Sequence, residues 1–293
     1  MGEYWAVKGI DTPFAAVRRA HQYDSVEAAR KHLDDIGRVI EKEGLPEALC
    51  PLTIGILGYG NVSGGAQEIF DCLPVQRIPA DEINAFVSEG RGDKHTIYLT
   101  VFKEQDLVEP TAPGAAFDLN EYFTQPERYK SRFEQFLSSF TLLVNAVYWE
   151  ERYPRFVTWQ GLKRLAQAGP QMKLAGIADI SCDTNGSIEC NVKSTGSDMP
   201  AYRVDPLAGT VSDGHTGKGI VLLAVDNLPC ELPNDSSTFF SNQLRPFLPA
   251  LLKAHYQTSL QTSGLPPELQ RATIVYNGKL TEPFGYLQDH LDE

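Results

Sequence analysis

The sequence predicts an α/β fold, a Rossmann-like, doubly wound, mostly parallel sheet with flanking helices. Three observations carry that prediction. Leu52–Leu57 is an apolar run with the composition of a strand buried on both faces. It passes directly into Gly58-Tyr59-Gly60-Asn61-Val62-Ser63-Gly64-Gly65 and then into the helix-forming Ala66-Gln67-Glu68-Ile69-Phe70. Downstream, further apolar β-branched runs alternate with helical spacings, as expected of βαβ units.

Taken in order, residues 13 to 43 read as helical. Asp24-Ser25-Val26-Glu27 supplies a cap, Ala28, Ala29, Leu33, Ile36, Val39 and Ile40 recur at helical spacing, and Gly44-Leu45-Pro46 stops the run. The strand and glycine turn follow, then a helix from Gln67 to about Leu73-Pro74 and a short strand at Val75–Ile78. Residues 96–102 (TIYLTVF) form another strand. Residues 103 to 135 are polar and form a surface excursion, with one helix expected near Pro126 to Leu137. Residues 141–149, 174–180 and 219–225 read as strands and Trp159–Ala168 as a helix, with loops and short strands over 183 to 218. The tail from Ser236 to Ala254 is helical, broken near Pro246 and Pro249, with Phe239, Phe240, Leu244, Phe247, Leu251 and Leu252 as its apolar stripe. The expected organisation is a connecting helical segment over 1–48, a dinucleotide-binding domain over 49–235 and a C-terminal helical segment over 236–293.

The glycine turn is the chemically informative element. Gly58 permits a tight turn, Gly60 lets backbone approach a phosphate, and the following helix N-terminus offers free N–H groups and a positive dipole. Ser63 stands where the third glycine of the usual pattern falls, with Gly64 just behind it. Such a turn after a buried strand points to a dinucleotide, although a βα turn that binds nothing can look the same. Ligands in these folds sit at the carboxyl ends of the strands. That rule gathers Gly58–Gly64, Asn145–Glu150, Asp179–Asp183 and Asp226–Leu228 into one crevice. About 20 residues beyond Gly58, where NAD sites place an acid on the ribose, stand Arg77-Ile78-Pro79, with no acid until Asp81. Arg77 there could meet the 2′-phosphate of NADP(H), or could equally be a solvent-facing strand residue.

Composition narrows the alternatives. The net charge of −12 argues against nucleic acid and against an anionic membrane surface as partners. No run approaches the roughly 18 apolar residues of a membrane span. The N-terminus lacks the features of a signal peptide, and Ala6 stands where a myristoylation motif needs Ser or Thr. The five cysteines have no C-x-x-C spacing, so neither a zinc site nor a disulfide framework is expected, and a reducing compartment, cytoplasm or mitochondrial matrix, fits. His21, Lys8 and Arg18 read as ordinary helix residues and His215 as a turn residue. No pair of titratable groups has the context of an acid and base, so no catalytic residue is assigned.

Five segments in fixed order, Cys50–Phe70, Pro126–Phe133 (PERYKSRF), Leu142–Thr158, Gly176–Glu189 (GIADISCDTNGSIE) and Leu222–Pro233 (LLAVDNLPCELP), resemble the lysine-ketoglutarate reductase half of the bifunctional aminoadipic semialdehyde synthases. The resemblance covers nearly the whole chain and implies an alanine dehydrogenase/transhydrogenase-like nucleotide-binding domain. It further implies reductive condensation of L-lysine with 2-oxoglutarate to saccharopine, with NADP(H) as cofactor. By position, Gly58, Tyr59, Gly60, Asn61, Val62 and Ser63 would cradle the pyrophosphate, and Tyr148, Ile180, Val225, Asp226, Asn227 and Leu228 would line the dinucleotide. Ser181, Cys182 and Asp183 would meet substrate, with Cys182 as wall rather than nucleophile. The family's catalytic Lys and His belong to an N-terminal substrate domain that this chain is expected to lack, together with the saccharopine-oxidising half. The isolated chain is therefore expected to be inactive, and the apolar face of 236–254 to promote self-association. A non-catalytic dinucleotide-binding or scaffold module would keep the same glycine turn.

Overall fold

In this computed structural model, which describes residues 1–169 and 172–291, the chain divides into two compact units, 1–232 and 233–293. The first unit is built on an eight-stranded sheet. Its strands are β1 (Leu52–Leu57), β2 (Val75–Arg77), β3 (Ile97–Phe102), β6 (Leu142–Asn145), β7 (Gly176–Asp179), β8 (Ala201–Asp205), β9 (Thr210–Asp213) and β10 (Ile220–Leu223). A separate antiparallel pair, β4 (Val108–Pro110) and β5 (Tyr129–Ser131), lies in the excursion after β3.

The spatial order is β2-β3-β1-β6-β7-β10-β8-β9. The first six strands run parallel, and β8 and β9 close one edge in antiparallel fashion. The order reverses between β1 and β6, which is the topological switch point where α/β sheets place ligands. Chain order and spatial order disagree on the other side of β1. The neighbour of β1 is β3, and β2 lies outside it. Burial explains this arrangement, because β3 (IYLTVF) is almost wholly buried whereas Gln76 and Arg77 of β2 are exposed. A polar strand sits at an edge at little cost; an apolar one does not.

Both faces of β1 are covered. Leu52, Ile54 and Ile56 alternate onto one face and pack with Tyr4 and Trp5 of α1 (Gly2–Val7) and Ile36 and Ile40 of α2 (Val26–Glu43). The Ser25 hydroxyl caps α2 by accepting from Ala28 N (3.1 Å), and Gly44 ends it at φ 82°. The helix thus begins at Val26, and residues 13–22 form two 3₁₀ turns instead of continuing it. The first 49 residues therefore do more than connect: they form one wall of the core. On the opposite face the Phe102 ring lies 5.1 Å from those of Phe133 and Phe136 and 5.6 Å from Phe140. The helix expected near Pro126–Leu137 is instead a 3₁₀ turn, β5, and a 3₁₀ stretch, Phe133–Ser139. Between strands run α3 (Asn61–Phe70), α4 (Ile83–Ser88), α5 (Glu104–Leu107), α6 (Leu119–Thr124) and α7 (Trp159–Gln167).

The second unit holds α8 (Pro233–Leu244), a 3₁₀ turn at Arg245–Phe247, α9 (Leu248–Lys253) and α10 (Pro267–Ala272). The break falls at Pro246, whereas Pro249 lies in the first turn of α9, where its missing N–H costs nothing. A hairpin pairs β11 (Val275–Tyr276) with β12 (Lys279–Leu280) through Asn277-Gly278, both at positive φ. Phe239, Phe240 and Leu252 are exposed.

One buried ammonium has no hydrogen-bond partner among the described residues. Lys173 Nζ makes no hydrogen bond, and burial lowers its pKa to about 8. The folded value lies below the unfolded one, so the unfolded chain binds more protons between about 8 and 10.5 and stability rises with pH across that window. Lys173→Met is expected to stabilise the fold by about 1–3 kcal/mol at pH 7. In denaturant titrations the gain should shrink as pH passes from 8 to 10.5; a gain independent of pH would show that the ammonium is not its source.

Candidate functional site

The register of the sheet lines up one row of residues at its carboxyl edge. Leu57 pairs with Asn145, Asn145 with Asp179, and Leu223 with Ala178, so the residues just beyond these ends are Gly58, Ala146, Ile180 and Val225. On the other side Leu57 pairs with Phe102, which puts Lys103 beside Gly58. Three of the segments expected at the crevice, 58–64, 145–150 and 179–183, thus start side by side, with Val225, the residue before the fourth, next to them.

Gly58 is held at φ 95°, and its N–H donates to Phe102 O (3.0 Å). A Cβ at this position would lie 2.8 Å from Ala146 O, so the chain can cross from β1 to α3 only with glycine here. Gly60 is the residue preceding α3; it is exposed, and a Cβ there would meet nothing within 4 Å. The helix starts at Asn61, six residues before the Gln67 expected from sequence, so the glycine turn is the first turn of α3 itself. Asn61 and Val62 are exposed, while Ser63 is fully buried and accepts from Gln67 Nε2 (3.1 Å). The mouth of this turn is open and has no side-chain cap among the described residues, and the first N–H groups of a helix find no acceptor within it, which suits a pyrophosphate.

Tyr59 is 48% exposed, and its ring centroid lies 5.7 Å from Lys103 Nζ. The Glu104 carboxylate beside it pushes the Tyr59 phenol up. Tyr148 is 79% exposed and donates to Glu150 Oε1 (2.6 Å), a bond that raises its pKa. Ile180 N donates to Asn145 O (2.9 Å). Val225 is buried, Asp226 and Asn227 are exposed, and Leu228 opens a short 3₁₀ turn.

Beneath the row lies a buried polar network. Asp179 Oδ1 accepts from Asn145 Nδ2 (2.7 Å) and from Cys182 N (3.1 Å), and Asp179 Oδ2 accepts from Asn191 Nδ2 (2.8 Å). Asn145 Nδ2 also donates to Ser187 Oγ (2.8 Å), while its Oδ1 is buried without a partner among the described residues. Burial pushes the Asp179 carboxyl up, against the pull of these hydrogen bonds. The network holds Cys182 at φ 57°, with Sγ 3.1 Å from Ala224 O. Burial raises the Cys182 thiol, which disfavours the thiolate. Ser181 donates to Val147 O, and burial followed by the nearby Asp179 raises Asp183.

The structure does not bring Arg77 to the row. It lies on the outer strand β2 and pairs in register with Leu99, three residues short of the edge. Its guanidinium is bound to Asp71 (2.7 Å). The reason is the inserted β3, which takes the place beside β1 that sequence spacing gave to β2. Asn145 opens one of the segments expected at the crevice, whereas Lys103 and Asn191 were not singled out by sequence reasoning, and Lys103 could be found only through strand order. Of the two histidines weighed from sequence, His21 pairs with Glu231 (2.9 Å) and His215 with Glu3 (3.3 Å). Among the described residues no group of three or more His, Cys, Asp or Glu could hold a metal ion, and no helix is long and apolar enough to cross a membrane.

A parallel sheet with a glycine cradle at its switch point defines a nucleotide-binding α/β domain of Rossmann type. The profile of the alanine dehydrogenase/PNT C-terminal domain family matches residues 120–283, and the chain belongs to that family. Over 98% of its length the chain is similar to the alpha-aminoadipic semialdehyde synthase of Arabidopsis thaliana, at 33% identity, and to the mitochondrial alpha-aminoadipic semialdehyde synthase of Bos taurus, at 34%. It matches the lysine-ketoglutarate reductase half of these proteins and spans 27% and 32% of their lengths. A shorter similarity, 28% over 134 residues, links it to the NAD(+)-dependent, L-lysine-forming saccharopine dehydrogenase of Emericella nidulans, covering 45% of this chain and 33% of that one.

Proposed function

We propose that this chain is the NADP(H)-binding portion of a lysine-ketoglutarate reductase, which joins L-lysine to 2-oxoglutarate and reduces the resulting imine to saccharopine. The observation that carries the reading is the open Gly60 cradle set beside the row Gly58, Ala146, Ile180 and Val225 at the switch point. Gly58 to Ser63 would hold the pyrophosphate by backbone N–H groups. Tyr148, Ile180 and Val225 to Leu228 would line the nicotinamide half, and Ser181 to Asp183 would form one wall for substrate. The bound cofactor would supply the hydride. The setting that suits this reading is a reducing compartment, mitochondrial matrix or cytoplasm, in keeping with five free cysteines.

The segments at this edge carry Lys103, Tyr59, Tyr148 and the carboxyl groups of Asp179, Asp183 and Asp226, while the family resemblance places the acid–base lysine and histidine in a substrate domain. Orientation and proton transfer by such groups contribute several kcal/mol, roughly 10²–10⁴-fold for proton transfer alone. Calorimetry on the 293-residue chain should therefore give tighter binding of NADPH than of NADH. NADPH oxidation with lysine and 2-oxoglutarate, followed by absorbance, should show no turnover until a substrate domain is supplied. Turnover near the roughly 1–10³ s⁻¹ typical of enzymes by this chain alone would place the acid and base within it. Equal or tighter binding of NADH would remove the NADP(H) assignment.

A further inference from the structure

In dinucleotide-binding sheets the adenosine ribose lies over the end of the strand next to the glycine-turn strand. An acid there accepts from the 2′-hydroxyl, and a cation there accommodates a 2′-phosphate. Sequence spacing finds that position only when the second strand in the chain is also the neighbour of the first. Here it is not, because β3 lies between β1 and β2.

The position therefore passes to the residue after Phe102. Phe102 pairs with Leu57 and accepts from Gly58 N (3.0 Å), so Lys103 stands beside Gly58 at about one strand spacing, roughly 4.8 Å. The Lys103 main chain is fixed: its N–H donates to Asp106 Oδ2 (2.9 Å), and its carbonyl accepts from Asp106 N (2.9 Å) and Leu107 N (3.1 Å). Its side chain is exposed, reaches toward the Tyr59 ring and makes no ion pair among the described residues. Glu104, the neighbouring acid, sits against the Tyr59 phenol. Arg77 already has a carboxylate partner in Asp71 and lies at the level of Ile54, well back from the edge.

We infer that Lys103 reads the adenosine 2′-phosphate and so sets the preference for NADP(H) over NAD(H), an assignment that rests on the cofactor reading above. A charge-assisted contact to a phosphate is among the stronger polar interactions, and its loss should fall on one nucleotide only.

The experiment is calorimetric titration of NADPH and NADH into wild type, Lys103→Ala, Lys103→Arg and Arg77→Ala, with thermal melts to verify folding. Lys103→Ala should weaken NADPH on the order of tenfold or more and leave NADH unchanged, while Lys103→Arg keeps the preference. A Lys103→Ala variant that retains the wild-type NADPH-to-NADH ratio, or an Arg77→Ala variant that loses it, overturns the assignment. Failure of the underlying reading is seen separately, since wild type would then bind neither nucleotide or show no preference.

Discussion

Asp179→Ala is expected to lower stability by about 2–4 kcal/mol, from neutral donors that lose their acceptor and from the cavity that opens. For a unit of this size that is a drop in melting temperature on the order of 10 °C. Asp179 is 1% exposed, and its two oxygens accept from Asn145, Asn191 and the Cys182 N–H. Alanine takes the carboxylate acceptor away from Asn145, Asn191 and the Cys182 N–H, leaves Asn191 Nδ2 only the weak Cys182 Sγ contact at 3.9 Å, and opens a cavity between β7 and the 182–191 loop. Asn191 also accepts from Tyr202 O–H (3.0 Å), so the disturbance reaches β8. The pH dependence has a definite sign. Burial raises the folded pKa of Asp179 above 3.8, so the folded chain holds this proton more tightly than the unfolded one. The stability that follows is full below 3.8 and is lost as pH rises through the folded value. The gap between wild type and Asp179→Ala should thus be widest in acid and narrow toward neutrality. Thermal melts between pH 3.5 and 7 read both effects. A loss under about 1 kcal/mol, typical of surface positions, would show that the network does not hold this edge together.

Much of the architecture is legible in the chain, for reasons that differ by element. Leu52–Leu57 reads as a doubly buried strand because every position is apolar or small, and all six residues are buried. The glycine turn reads correctly because positive φ and close backbone approach leave glycine as the only solution at 58. The 126–137 stretch misleads because Phe133, Phe136, Leu137 and Phe140 follow helical spacing. Packing of three of those rings around Phe102 takes the segment into a tighter 3₁₀ path instead. Strand order is a non-local property, so neither Arg77 nor Lys103 could be placed from spacing alone. A polarity comparison carries part of the answer: Val75-Gln76-Arg77 has the character of an edge strand and Ile97–Phe102 that of an interior one. The Asp179 network escapes sequence reading because its members come together only after β6 and β7 pair and the 182–191 loop closes.

Two glycines two positions apart are expected to respond to alanine in opposite ways, and the contrast tests where the pyrophosphate lies. At Gly58 the backbone stands at φ 95°, and a methyl would meet Ala146 O at 2.8 Å, Ala146 C at 3.1 Å and Val147 Cγ1 at 3.3 Å. The two nearest contacts are backbone atoms of Ala146, just past the end of β6, whose N–H is tied to Leu57 O (3.0 Å), and they do not yield. Strain at positive φ and overpacking together should cost about 2–5 kcal/mol, so Gly58→Ala should melt earlier and lose nucleotide binding through the fold. At Gly60 φ is −73°, ψ is −169° and no atom lies within 4 Å of the place a methyl would take, so the fold accepts alanine there. The exchange of glycine for alanine just before a helix should cost under about 1 kcal/mol. That same methyl would point into the cradle and hold a pyrophosphate away from the N–H groups of α3. Gly60→Ala should therefore keep a melting temperature near wild type while its affinity for NADPH falls by at least about tenfold, the effect of losing charge-assisted hydrogen bonds. Both measurements are needed on both variants. If Gly60→Ala binds NADPH as wild type does, the phosphates do not approach α3, and the cradle is only the turn that carries the chain out of β1.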